Sequence, residues 1–439
     1  MISIRNLTVL MCLVLLAGNL FAGGFALTGV GSRATSMGGA FRGMADDASA
    51  MFWNPAGLGF MEGNVVDLGG TFILPTGTWD SKGTGFIGAP SGIPGYTAKE
   101  YEAETSLRSF PSVLAVMAKN PKLKYGLGVY IPYGLGTTWD LYNEAAVGIT
   151  SAEFPKDETM SNIAVVDVHP SVAYQINPTL SAGLGISVMY GMIDITKLGF
   201  NANTPPTPGL NYAKPKTSDM SGSGIGYGLN IGFLFKPQDA LSIGISGKIP
   251  SKINMDGDVK TFNSAYPAGS QAGKYDIETI LNLPGEIGIG TSYKLMPNWI
   301  VNVDYAYTMW DVMDEVVVDI TTPAGVSQDK LAFKWENTSR VSLGTQYLMG
   351  CNAFRAGFYY DQTPIPEETQ TPTLSDISNK ISSNLGYGCS FGKLGVDANV
   401  QYVLFTERDI KATAQTATNM AGRYNTNSLS GNIGLSYRF

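Results

Sequence analysis

Residues 298–312 read NWIVNVDYAYTMWDV. Trp299, Val301, Val303, Tyr305, Tyr307 and Met309 fall on one side of an extended chain; Asn302, Asp304, Ala306 and Thr308 fall on the other. Successive side chains of a strand point to opposite faces, so this stretch predicts a strand with one apolar face and one polar or small face. The same split recurs over 180–190, 225–235, 283–295, 341–349 and 396–404. It also ends the chain at 429–439, where Ile433, Leu435, Tyr437 and Phe439 oppose Asn432, Ser436 and Arg438. Alternation alone leaves the medium open, because a soluble sandwich alternates too.

The connections decide the medium. Turn residues predict short links near Asn120-Pro121, Asn177-Pro178, Pro237–Ala240, Met296–Asn298, Gly350–Asn352 and Gly392–Leu394. Long polar connections fall between them, at 77–108, 138–162, 199–222, 258–278, 315–337, 363–380 and 410–427. Long and short alternate strictly, starting and ending with long, which gives 14 strands with both chain ends on the short-turn side. Bacterial outer-membrane barrels have short periplasmic turns, longer outer loops and an even strand number. Strands of ~10 residues cross the apolar layer at a tilt. Closure satisfies every backbone polar group in lipid. The expected fold is therefore all-β, a 14-stranded antiparallel transmembrane barrel. Trp79, Tyr96, Trp139, Tyr174, Trp299, Trp310 and Tyr437 are expected in interfacial girdles.

Composition agrees. Of 439 residues 15% are charged, with 53 glycines and 22 tyrosines, and the formal charge is −7. No basic run points to nucleic acid. The one long apolar run, Leu7–Phe21, follows Arg5 and precedes Ala22-Gly23-Gly24. That pattern is a secretory leader cut after Ala22, and the run is shorter than the ~20 residues of a spanning helix. Cys12 lies inside the leader run, which argues against a lipoprotein site. Cys351 and Cys389 remain, too few to hold so long an exported chain together. Both map near the periplasmic rim, so a bond between them is conceivable. Cys389 shares the lipid-facing side with Leu385 and Tyr387, which makes free thiols the expectation.

Ala40–Leu58, AFRGMADDASAMFWNPAGL, does not alternate. Asp46 and Asp47 supply an N-cap for ASAMFW, read as two turns of helix. Asn54-Pro55 stops it, since proline disfavours helix in the residue before it. The domain reading is a leader over 1–22, a small, partly helical plug or hatch over 23–62 inside the lumen, and the barrel over 63–439.

Residues 23–58, GGFALTGVGSRATSMGGAFRGMADDASAMFWNPAGL, resemble the N-terminal hatch of the FadL/TodX (OMPP1) family of outer-membrane fatty-acid and hydrocarbon transporters. The likeness rests on Gly24–Leu27, Gly38-Gly39-Ala40, Ala45–Ala48 and Asn54-Pro55-Ala56. It continues through YGLGVYIPYGLGTTW at Tyr125–Trp139 and DYAYTMW at Asp304–Trp310. The resemblance implies a plugged barrel that captures an apolar ligand at its outer loops and releases it sideways through a gap made by a kinked third strand. Pro132, Tyr133 and Gly134 stand where that kink would be. An ordinary bulge near the outer rim remains the alternative.

The implied chemistry is passive binding and diffusion of a hydrophobic small molecule, with no cofactor and no metal. Each buried methylene is worth ~0.8 kcal/mol, so greasy contact alone can capture a chain of several carbons. Candidate contacts are Phe25 and Leu27 with Phe41, Met44, Met51, Phe52 and Trp53; the alternative is that they only pack the plug against the wall. Arg33, Arg42, Arg108 and Lys248 could meet a carboxylate, without a choice among them. His169 is the only histidine and shares an inward face with Asp167, Ser171 and Gln175. A barrel hydrolase therefore stays in view, although the expectation is no enzyme. No Cys-x-x-Cys, histidine pair or phosphate loop appears. A general porin, or an adhesin using the long loops, is the competing reading. The other expected partners are outer-membrane lipid, lipopolysaccharide and the barrel-assembly machinery, which would read terminal Phe439. A monomer is expected in the bacterial outer membrane.

Overall fold

The computed structural model describes residues 24–81, 99–142, 159–201, 214–264, 270–374, 377–411 and 420–439. The expected leader, Tyr96 and parts of the long connections lie outside the described residues.

Fourteen strands follow one another around a closed antiparallel barrel. They are β1 (Val65–Asp80), β2 (Glu100–Glu102 and Arg108–Met117), β3 (Leu123–Trp139), β4 (Thr159–Asn177) and β5 (Leu180–Asn201). Next come β6 (Lys214–Gln238), β7 (Leu241–Lys248 and Ser251–Ser264), β8 (Ser270–Leu283 and Gly285–Met296) and β9 (Trp299–Met309 and Glu315–Thr322). The last are β10 (Gly325–Ala332 and Thr338–Met349), β11 (Asn352–Asp361), β12 (Lys380–Phe391), β13 (Leu394–Phe405 and Arg408–Ile410) and β14 (Gly422–Arg438). β1 and β14 pair from Val65↔Arg438 to Asp80↔Arg423, so no edge is left at the seam. Asn64 and Phe439 exchange backbone hydrogen bonds beside that seam.

The alternation sorts residues between two media. On β9, Trp299, Val303, Tyr305 and Tyr307 are exposed on the outer wall, whereas Asn302, Asp304 and Ala306 are buried inside. On β5, Leu184, Ile186, Val188 and Tyr190 face out and Ser181 faces in. An outer wall of exposed Leu, Ile, Val, Phe and Tyr suits lipid, where strands need no polar face outside.

Three expectations change. Trp79, Trp139 and Trp310 are buried rather than in a girdle: Trp79 sits on the inward side of β1, Trp139 lies beyond a register shift that reverses the parity of β3, and Trp310 opens a 3-10 turn between the two parts of β9; Tyr174, Trp299 and Tyr437 are exposed as expected. Several long connections are strand for much of their length: β9 and β10 run on to a hairpin at Thr322–Gly325, and β7 and β8 pair out to Ser264↔Ser270. Polar residues outside the membrane can alternate in a ladder as well as in a loop, so polarity misplaced those strand ends. The third change lies in the N-terminal segment. Its helices are α1 (Ser32–Ser36) and a single turn, α2 (Ala50–Trp53), followed by a 3-10 turn, Pro55–Phe60. Asp47 Oδ1 accepts from Ser49 N at 2.8 Å and Ser49 Oγ at 2.6 Å, which spends the carboxylate on a local turn and starts the helix later than expected.

The segment lies inside the ring. α1 packs against β11, β12, β13 and β14, while the 3-10 turn packs against β3 to β6 on the opposite wall. Met37, Phe41, Met51 and Leu58 are completely buried in the cluster between segment and wall.

Candidate functional site

The middle of the N-terminal segment is fastened to inward-facing polar side chains. Asp304 Oδ2 accepts from the backbone N–H groups of Phe41 (3.0 Å) and Arg42 (2.8 Å). The Arg42 guanidinium pairs with Glu286 and lies 3.6 Å from Asp304. Asn54 Nδ2 donates to Arg42 O and Phe233 O, each at 3.1 Å, while its Oδ1 accepts from Ala56 N at 3.2 Å. Asn230 Nδ2 donates to Met51 O (3.0 Å) and Ser246 Oγ to Trp53 O (2.8 Å). Arg33 pairs with Asp46 at 2.8 Å and donates to Gln346 at 3.0 Å. Burial pushes the Asp47 carboxyl up, against the opposing pull of Arg33.

Two glycines make room for Asn54-Pro55-Ala56. A Cβ on Gly183 would stand 2.3 Å from Ala56 N, and one on Gly232 would stand 2.1 Å from Asn54 Oδ1. The inward glycines at strand spacing are thus a seat for backbone.

The other end of the segment meets a break in the wall. β2 and β3 pair only from Met117↔Tyr125 to Val113↔Val129. Above that, Ile73↔Arg108 to Gly69↔Ser112 still joins β2 to β1, but β3 has left β2. The cause lies in β3. Tyr130 pairs with Asp167 of β4 and Tyr133 with Val165, so Ile131 and Pro132 stand opposite one residue. This is a β-bulge, which bends its strand, and proline cannot donate to a ladder. Glu104 N donates to Thr138 O at 2.9 Å and rejoins the two strands higher up. A window therefore opens beside Tyr130–Thr137.

Gly24–Thr28 occupies the inside of that window. Ala26 bridges Tyr133 in antiparallel sense; Leu27 N donates to Pro132 O and Gly134 N to Phe25 O, each at 3.0 Å. The Phe25 ring sits edge-on to Trp310 (5.0 Å) and Tyr133 (5.7 Å) and lies 5.7 Å from Trp335.

Beside the window lies a cavity of about 280 Å³, lined by Leu27, Arg108, Phe110, Gly134, Gly136 and Phe405 among others. Arg108 Nε is buried without a hydrogen-bond partner among the described residues. Beneath the bulge a smaller cavity of about 60 Å³ is lined by Leu27, Phe52, Trp53, Pro132, Tyr133 and Trp310, with Arg42, Lys248 and Glu286 at its polar side. Lys248 Nζ stands 3.7 Å from the Phe52 ring centre.

The residues singled out in the sequence therefore divide. Leu27, Phe52, Trp53, Pro132, Tyr133 and Gly134 face one or both cavities. Phe41, Met44 and Met51 pack between segment and wall. Of the cations, Arg33 and Arg42 are paired with carboxylates, while Lys248 and Arg108 line cavities.

The surroundings of His169 do not form a hydrolase relay. Ser187 Oγ donates to Asp167 Oδ2 at 2.8 Å, and His169 Nδ1 lies 3.0 Å from Ser187 Oγ and 3.3 Å from Asp167 Oδ2. A catalytic relay uses opposite ring nitrogens for hydroxyl and carboxylate. Here one nitrogen faces both, and Nε2 points at Gly185, whose Cβ would stand 2.2 Å away.

A 14-stranded barrel with an N-terminal segment inside its ring and a break beside its third strand is a specific arrangement. Residues 13–439 match the family described as outer membrane protein transport protein (OMPP1/FadL/TodX). The chain belongs to that family. Within this OMPP1/FadL/TodX family, the long-chain fatty acid transport protein of Salmonella typhi is 25% identical over 399 residues, 86% of each chain. A crystal structure of a Pseudomonas aeruginosa FadL homologue shares the fold with a TM-score of 0.79 at 18% identity, covering 95% of this chain and 100% of that one. The Pseudomonas putida toluene transporter TodX superposes with a TM-score of 0.72 at 17% identity, covering 94% of this chain and 99% of that one. Like its FadL/TodX relatives, the chain is a multi-pass barrel of the bacterial outer membrane.

Some features of the site in this FadL/TodX-family chain escaped the sequence reading. Phe110, Trp310, Trp335 and Glu286 are brought to the window or its floor by tertiary structure. Glu286 carried a signal: a charge on the inward side of a membrane strand needs a partner, and Arg42 supplies it.

Proposed function

We propose that this chain conducts hydrophobic compounds, such as long-chain fatty acids or aromatic and aliphatic hydrocarbons, across the outer membrane. Residues 23–62 act as its hatch, and 63–439 as the barrel. Cargo reaches the cavity beside Leu27, Phe110 and Gly134, then leaves sideways between β2 and β3 when Gly24–Thr28 moves off the β3 edge. No bond is made or broken. The observation that carries the reading is the window itself: the β2–β3 ladder stops at Val113↔Val129 and the segment's first residues fill the opening. The cavity volume suits part of an alkyl chain or one aromatic ring, and burial of each methylene contributes ~0.8 kcal/mol. Arg108 and Lys248 give an anionic head group somewhere to rest; a hydrocarbon would not need them. Exposed Phe439 at the end of β14 serves assembly, and the apolar wall meets lipid and lipopolysaccharide as a monomer.

The experiment is uptake by cells lacking their own carrier for these compounds. Expressing this chain should raise uptake of a labelled fatty acid or of toluene, with little ion conductance in planar bilayers. Uptake equal to the empty outer membrane, or a large steady conductance, would replace this reading with a porin.

A further inference from the structure

The two cysteines that remain outside the expected leader come together at the short-turn rim. Cys351 is the second residue of the turn between β10 and β11, and it is exposed; Cys389 is on β12, and it is buried. Their sulfurs are 3.0 Å apart as free thiols. The backbone already holds the two stretches in place. Asn352 pairs with Cys389 across β11 and β12, and Ser390 N donates to Cys351 O at 3.1 Å. Bringing the sulfurs to bonding distance, ~2.05 Å, therefore needs side-chain rotation without movement of the barrel. Among the described residues no group of three or more metal-ligating side chains is present, so the pair has no third donor for an ion.

We propose that Cys351 and Cys389 form an intramolecular disulfide in the mature protein. Short turns of an outer-membrane barrel face the periplasm, where disulfides form and persist. The oxidant is a periplasmic protein disulfide. The exposed Cys351 thiolate attacks one sulfur of that disulfide, forming a mixed disulfide and releasing one oxidant thiolate. The buried Cys389 thiolate then attacks Cys351 sulfur, forming the new bond and releasing the second oxidant thiolate. Two protons leave the cysteines, two electrons pass to the oxidant, and the oxidant ends as a dithiol. Exposure sets the order, since only Cys351 can meet another protein.

The bond would clamp the β10–β11 turn onto β12 beside the segment's footing. Gln346 on β10 accepts from both Arg33 of the hatch (3.0 Å) and Arg355 of β11 (2.8 Å), and Arg355 pairs with Asp397 on β13. The clamp ties β10 and β11, which carry Gln346 and Arg355, to β12, so it holds the wall on which Arg33 rests.

The test uses full-length protein extracted from outer membranes, with thiols trapped by maleimide during extraction in denaturant. Peptide mapping should find Cys351 and Cys389 in one linked peptide pair, 2 Da lighter than the two thiol peptides, with no maleimide until reductant is added. The Cys351→Ser variant should then carry maleimide on Cys389 without reductant. Maleimide on both cysteines of the unreduced wild type would overturn the proposal. So would a disulfide-linked dimer on a non-reducing gel, which would place the bond between chains.

Discussion

Two stretches of one N-terminal segment are held by opposite means. Phe41–Ala56 is fastened by charge and by buried hydrogen bonds: Asp304 to two backbone amides, Arg42 to Glu286, and Asn54 to both segment and wall. Gly24–Thr28 is held by one β-bridge on an unpaired strand edge and by aromatic contacts around Phe25. Losing a buried polar anchor strands its partners, at a cost of ~1–3 kcal/mol for each group left unsatisfied. Leaving the β-bridge breaks two backbone hydrogen bonds, Leu27 N to Pro132 O and Gly134 N to Phe25 O, and no ion pair, fewer polar anchors than the middle stretch would lose. On the proposed exit route the first stretch stays and the second moves aside.

That contrast can be broken by substitution. The largest effect is expected from Gly183→Val, whose side chain would collide with the backbone of Pro55 and Ala56; overpacking of that kind costs about 3 kcal/mol. The hatch should be displaced and single-channel conductance should rise strongly, while the barrel keeps its heat-modifiable gel mobility. Asn54→Ala comes next, at ~2 kcal/mol, from loss of its bonds to Arg42 O, Phe233 O and Ala56 N. It too should raise conductance, in more frequent but briefer openings. Phe25→Ala should behave differently. Ligand affinity, read by fluorescent fatty-acid titration, should fall roughly tenfold, about 1.4 kcal/mol, with conductance unchanged. Equal conductance changes for Asn54→Ala and Phe25→Ala would erase the contrast. The smallest effect is expected from Arg108→Met, which should cost a fatty acid ~1 kcal/mol of binding and toluene nothing.

The barrel was legible because lipid demands a period of two and closure demands strand parity, and both leave marks over hundreds of residues. Every predicted short turn stands between the strands it was meant to join, as at Gly350-Cys351 and Gly392-Lys393. The outer strand ends were not legible, since beyond the membrane polar residues form ladder and loop alike, as at Glu315–Ala332. Within the site, Pro132 marked the irregular stretch of β3, but proline alone did not decide it: Pro75, Pro111 and Pro170 stand in strands at regular register. Phe110 and Trp335 could not be placed, because only the meeting of β2, β3 and the segment gives them a role. Trp79, Trp139 and Trp310 misled for a related reason: an aromatic near a strand end looks the same whether it meets lipid or is turned inward by its strand, by a register shift or by a 3-10 turn.

Sideways release through the β2–β3 window is the central claim, and deleting Pro132 tests it most directly. The deletion leaves Ile131 alone opposite Val166, restores the register between Tyr130↔Asp167 and Tyr133↔Val165, and allows β3 to follow β2 past Val129. With folding verified by heat-modifiable gel mobility, uptake of labelled hydrophobic compound by cells carrying this variant should fall at least ~10-fold, about 1.4 kcal/mol. Uptake equal to that of the unaltered protein would contradict lateral exit and send the cargo through the lumen instead.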